Sequence, residues 1–91
     1  MPVEVRLPTI LRPHVGGAST VEAEGSTVGE LFAGLVSRYP ALRDQLVTET
    51  GDLHRFVNVY RNDDDIRYLG RLDTPVSESD VVSIIPAVAG G

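Results

Sequence analysis

The run Val81-Val82-Ser83-Ile84-Ile85 carries branched apolar side chains on both faces of an extended chain. Such a run predicts a strand in the middle of a sheet, because a strand with one solvated face alternates polar and apolar residues. Pro86 is expected to end it, since an imide nitrogen cannot donate to a ladder. The sequence then continues Ala87-Val88-Ala89-Gly90-Gly91. A central strand therefore runs straight into a short apolar segment that ends on two glycines. Fully extended, the stretch from Pro86 to Gly91 spans roughly 20 Å.

At the other end of the chain, Val3, Val5 and Leu7 alternate with Glu4 and Arg6, the period of a half-buried strand. Pro8 and Pro13 interrupt regularity, and Val15-Gly16-Gly17 supplies a turn. Ser19, Val21 and Ala23 then oppose Thr20, Glu22 and Glu24, so a hairpin is expected here. Thr27 and Glu30 form a capping box before Val28, Leu31, Phe32, Leu35, Val36 and Tyr39, which share one helical face. Pro40 stops that helix. Ala41 to Val47 is read as a short helical turn with Leu42 and Leu46 inward, and 48–52 as a loop.

Phe56-Val57-Asn58-Val59-Tyr60 reads as a strand, Asn62-Asp63-Asp64-Asp65 as a polar turn, and Ile66-Arg67-Tyr68 as a short strand or edge segment. Leu72 to Asp80 is read as connection. The order is strand, strand, helix, strand, short strand, strand. Its economical solution is an α+β fold: a mixed sheet with one main helix on one face and the first and last strands central and parallel. This is the β-grasp, or ubiquitin-like, arrangement, over residues 1–86, with 87–91 as a flexible C-terminal tail. Leu31, Leu35, Val5, Val57 and Ile84 are expected between helix and sheet.

A 91-residue chain makes one domain. Its 42% hydrophobic content is that of an ordinary globular protein. A net charge of −5 argues against nonspecific nucleic-acid binding, which needs a basic surface. No apolar run approaches a membrane span, and no signal core opens the chain, so a cytoplasmic location is expected. The absence of cysteine excludes disulfides, thiolate metal sites and a cysteine nucleophile. All eight basic side chains are arginine, none lysine.

These absences bear on the tail. Two glycines have no Cβ, so their backbone can thread a channel too narrow for other residues. A frayed glycine end is the bland alternative. Against it, an activated C-terminal acyl group is attacked by thiolates and amines, and no side chain here offers either. Gly91 is thus the candidate site of carboxylate activation, and Gly90, Ala89, Val88 and Ala87 the segment entering a partner's site.

The remaining candidates are weaker. Asp63-Asp64-Asp65 lacks the alternation, glycine and distal glutamate of a calcium loop, and a solvated turn explains it. His14 and His54 have no ligand-spaced companion, and no metal site is expected. No Ser-His-Asp or paired-carboxylate arrangement is present, so no catalytic residue is assigned. Phe56 and Tyr60 share a strand face opposite Val57 and Val59. Either they sit on an open sheet face, where with His54 and Arg55 they would dock a partner, or they fill a second minor core under the 44–52 loop.

Three stretches carry a family resemblance: Pro8-Thr9-Ile10-Leu11-Arg12-Pro13-His14 with Gly16-Gly17; Leu53-His54-Arg55-Phe56-Val57-Asn58-Val59-Tyr60 with Asn62-Asp63; and Ile85-Pro86-Ala87-Val88-Ala89-Gly90-Gly91. On these the chain resembles the ThiS/MoaD family of ubiquitin-like sulfur carrier proteins, most closely the CysO-type carriers. The resemblance implies a carrier and not an enzyme. It implies that an E1-like adenylyltransferase of the MoeB/ThiF type adenylates Gly91, after which sulfur is installed as a thiocarboxylate. It further implies no bound cofactor, with ATP used by the partner. The acceptor would be a sulfur-incorporating biosynthetic enzyme, cysteine-synthase-like or feeding another metabolite, and a JAMM-type metalloprotease would release the product in CysO-type systems.

The alternative is a ubiquitin-like modifier joined to target lysines through Gly91. Without lysine the protein cannot build chains on its own side chains, which leans toward a carrier. A third reading is a structural subunit whose tail only plugs a partner's site. A β-grasp ferredoxin is excluded by the missing cysteines.

Overall fold

The computed structural model describes residues 2–54 and 57–86. Strands β1 (Pro2–Arg6) and β2 (Thr20–Glu24) form the expected hairpin, antiparallel with Val5 opposite Val21. Their inward residues Val3, Val5, Val21 and Ala23 are buried. The connection between them is more regular than its prolines suggest. Thr9–Val15 winds as a 3-10 helix that buries Leu11 and Val15, and Gly16 ends it at φ 70°. Pro8 sits just before the first turn in an extended conformation, where it needs no N–H partner.

Helix α1 (Val28–Arg38) starts at Thr27, whose Oγ1 accepts from the Glu30 N–H at 3.2 Å. Glu30 returns the bond one residue earlier than a standard capping box, accepting from the Ser26 N–H at 2.7 Å. Gly25 makes this tight entry possible: at φ 158°, a Cβ there would stand 2.7 Å from the Glu30 Cβ. Val28, Leu31, Phe32 and Leu35 enter the core. After a 3-10 turn at Pro40–Leu42 comes the one-turn helix α2 (Arg43–Leu46), and Leu42 and Leu46 are fully buried.

Strands β3 (Val57–Arg61), β4 (Asp64–Asp65) and β5 (Val81–Pro86) complete a five-stranded sheet in the order β2-β1-β5-β3-β4. The last strand is central and parallel to the first, as its composition predicts. Pro86 belongs to β5 instead of ending it, opposite Val57. One element is reassigned. Ile66–Tyr68 is a 3-10 turn and not a strand; the edge strand is Asp64–Asp65, within the expected polar turn. The cause is local. Asn62 adopts a left-handed φ of 56°, which reverses the chain at once. Asp65 then caps the next turn by accepting from the Arg67 N–H at 2.9 Å, while Ile66 is driven fully into the core.

Asn62 also pins the entry to β5. Its N–H donates to the Val81 carbonyl at 2.7 Å, its Oδ1 accepts from the Val81 N–H at 3.0 Å, and its Nδ2 donates to Asp80 at 3.0 Å. Asp80 also accepts from the Ser77 N–H at 2.8 Å. The Asn62 amide first, then the Ser77 N–H, hold the Asp80 carboxyl below its ordinary range. The one buried polar side chain among the described residues, Thr74, is satisfied, accepting from Gly70 N–H and donating to the Arg71 carbonyl.

Candidate functional site

The expected site divides between the exit end of β5 and the sheet face away from α1. Val82 and Ile84 point into the core with Val57 and Val59. By the register, Asn58 lies opposite Ile85 and Tyr60 opposite Ser83, all on the other face. Among the described residues that face is only partly covered, Asn58 and Ser83 being half-buried. Leu42, Leu46 and Leu53 join the single core on the helix side, so the 44–52 region builds no second core. Tyr60 lies on the face opposite Val57 and Val59, whereas Phe56, its expected companion, falls outside the described residues. Tyr60 is half-buried there, and Ile85 is 46% exposed. Toward β1 the face turns polar, with an exposed Arg6–Glu4 ion pair at 2.9 Å, a contact of little energetic weight.

The exit end has an asymmetric support. The β1–β5 pairing stops at Arg6 opposite Ser83. From there to Pro86, β5 is paired with β3 alone: Ile84 with Val59, Ile85 with Asn58 and Pro86 with Val57. The first rungs of β3 thus hold the last described residues of β5.

A side chain that sequence reasoning did not single out holds those rungs. Arg67 donates through Nη1 to Asn58 Oδ1 at 2.7 Å and through Nη2 to the Val57 carbonyl at 2.7 Å, with a longer contact to the His54 carbonyl at 3.4 Å. His54 itself is half-buried; its N–H donates to the Leu46 carbonyl and its carbonyl accepts from the Val57 N–H. No periodicity marks Arg67, since its partners lie nine to thirteen residues away. Its one visible signal is an arginine following an aspartate two positions before, a pattern too common to interpret alone.

His54 is thus itself one of the Arg67 contacts, just before β3, and Tyr60 lies beyond them within the strand. The expectations for Arg55 and Phe56, and for Ala87, Val88, Ala89, Gly90 and Gly91, fall outside the described residues. Asp65, from the acidic run, caps a turn, while Asp63 and Asp64 are exposed. His14 is half-buried on the 3-10 segment after β1. No helix among the described residues is long and apolar enough to cross a membrane.

Comparison with known proteins adds the following. The model of the ThiS family matches residues 5–91. The sulfur carrier protein CysO of Mycobacterium tuberculosis is 47% identical over 93 aligned positions, covering all of both chains. A chain in the crystal structure of the Amycolatopsis orientalis BexX/CysO complex is 49% identical. It superposes with a TM-score of 0.90 over 98% of this chain and 99% of that one. The small archaeal modifier protein 3 of Haloferax volcanii is 32% identical, again over the full length of both.

Proposed function

The chain belongs to the ThiS family, and from that membership we propose that it is a sulfur carrier whose Gly91 carboxylate is the working group. A carboxylate is a poor electrophile. An E1-like enzyme of the MoeB/ThiF type would join it to AMP from ATP, releasing pyrophosphate. A sulfur nucleophile then attacks the acyl carbon, AMP leaves, and a thiocarboxylate remains. That sulfur is anionic and nucleophilic near neutral pH, and passes to an acceptor enzyme without free sulfide. The carrier binds no cofactor of its own and contributes no catalytic side chain. Its work is to be recognised and to deliver its tail.

The observation that carries this reading is the full-length match at 47% identity to sulfur carriers, together with a tail that follows directly on the central strand. The docking surface for the activating enzyme is the face around Tyr60 and Ile85, with His54 beside it; Arg55 and Phe56 remain candidates from the sequence. The acceptor is a sulfur-incorporating enzyme, cysteine-synthase-like or serving another metabolite. A JAMM-type metalloprotease releases the product where it stays attached to the tail. The setting for these partners is the cytosol.

A second reading has one specific support, the 32% identity to an archaeal modifier protein. In it, Gly91 becomes an amide on target lysines. The lysine-free sequence leans against chain building on the protein itself.

Deleting Gly91 tests the assignment. The truncated protein should lose ATP–pyrophosphate exchange with the cognate activating enzyme while its thermal midpoint stays close to that of the full chain. Undiminished exchange without Gly91 would refute the reading.

A further inference from the structure

We propose that Arg67 is a positioning residue for tail delivery: its guanidinium fixes the first rungs of β3, and through them the last rungs of β5, to which the tail is joined in sequence. The inference rests on the carrier reading above, and three observations combine in it. The last rungs of β5, at Ile84, Ile85 and Pro86, pair with β3 and not with β1. The β3 residues that form the two outermost rungs, Val57 and Asn58, are the ones that Arg67 grips, each at 2.7 Å. The same guanidinium reaches the His54 carbonyl at 3.4 Å, so it ties the approach to β3 to the strand itself.

Arg67 is in turn aimed by its own turn. Asp65 accepts from the Arg67 N–H at 2.9 Å, and Ile66 is anchored with no exposure. The head group therefore reaches β3 from a fixed base and bridges a side-chain amide and two backbone carbonyls. Only a planar, multi-donor group can satisfy these together; an ammonium of similar charge offers no such fork. Among the described residues, the contacts of this head group are with neutral oxygens, so its role is geometric.

The consequence for transfer follows from how docking is limited. Among the described residues, the proposed docking residues are His54, just before β3, and Tyr60 within it, and both lie beside the rungs that hold the last residues of β5. If Arg67 is removed, this segment loses a clamp while the core on the other face is untouched. The partner must then order the segment as it binds, and each side chain or loop ordered at the interface weakens association. The loss should appear as weaker binding of the carrier, with the chemistry on bound carrier largely preserved.

The experiment is steady-state adenylation by the cognate activating enzyme, with carrier as varied substrate, on Arg67→Met, Arg67→Lys, Asn58→Ala and, as a charge-matched control, Arg43→Met on the exposed side of α2. All are assayed well below their thermal midpoints, beside amide hydrogen exchange of the free proteins. Both Arg67 variants should raise KM about tenfold or more with kcat within about threefold, the pattern of lost uniform binding. Exchange at Asn58 and Ile85 should speed up while Leu31 and Leu35 in α1 stay protected. Arg43→Met should behave as wild type.

Wild-type KM in both Arg67 variants would overturn the proposal. Full rescue by lysine would also overturn it, since charge and not the fork would then be responsible. If Arg67→Met does not fold, Asn58→Ala decides: it should raise KM about threefold, and an unchanged KM sinks the idea. If the wild-type chain is not adenylated at all, the carrier reading fails. The exchange pattern then still tests the clamp on its own, and unchanged protection at Asn58 and Ile85 would refute it.

Discussion

The two faces of β5 differ in what they do with nearly the same residues. Val82 and Ile84 are almost completely buried in the core, with 0% and 2% exposure. Ile85, one position on, is 46% exposed on the opposite face. An apolar strand is thus central in the sheet without being covered on both sides. The helix-side half drives folding, since burying such side chains contributes about 1.5–3 kcal/mol each. The other half gains little stability from its apolar character. In the proposed function the exposed Ile85 beside the half-buried Tyr60 is the docking patch, so that the same strand would serve as core and as interface.

The contrast predicts opposite outcomes from one chemical change. Ile84→Ala should destabilise the fold by about 2–5 kcal/mol, read as a lower denaturant midpoint. Ile85→Ala should cost less than about 1 kcal/mol, close to a surface substitution. In adenylation kinetics the order reverses. Ile85→Ala and Tyr60→Ala should raise KM for the carrier with less effect on kcat, whereas folded Ile84→Ala should keep a near-normal KM. Equal stability losses at positions 84 and 85 would break the distinction between the faces.

A smaller effect is expected at the entry end of the strand. There Asp80 and Asn62 hold Val81, and the hydrogen bonds of Asp80 lower its carboxyl below the ordinary range. A depressed folded-state value means that the clamp is complete above roughly pH 4, the unfolded carboxylate range. Its contribution is lost as pH falls through the lowered folded-state value. Asp80→Asn should therefore cause a slight loss of thermal midpoint at neutral pH and a flatter acid limb in a midpoint-versus-pH series. Parallel acid limbs for the two proteins would show that Asp80 contributes nothing to acid sensitivity.

The ease of reading these regions from sequence follows the range of the forces that shape them. The capping box at Thr27, the alternation through Val3 and Val5, and the apolar run at Val81–Ile85 are local signals, and the structure places all three as expected. The 3-10 segment at Thr9–Val15 was hidden because Pro8 and Pro13 look like breakers, although Leu11 and Val15 are spaced to face inward together. Asp64–Asp65 was hidden because aspartate is poor in strands. Its pairing with Tyr60 and Arg61 is imposed by the left-handed Asn62, not by propensity. Arg67 was hidden for another reason: a clamp between distant segments leaves no periodic trace, and only the folded register shows which rungs it holds. The reading of Gly90-Gly91 rests on what two missing Cβ atoms permit and on the absent lysine and cysteine, and both glycines lie outside the described residues.

The most direct test of the carrier assignment is the state of Gly91 in the cell. The intact protein would be purified under conditions that preserve acyl-sulfur groups, and its mass compared with that of the sequence. The account predicts a species heavier by the exchange of one oxygen for sulfur, localised to the terminal residue and converted back to the plain carboxylate when an acceptor enzyme draws on it. Recovery of the protein only as amide adducts on lysines of other proteins, with no thiocarboxylate form, would contradict it.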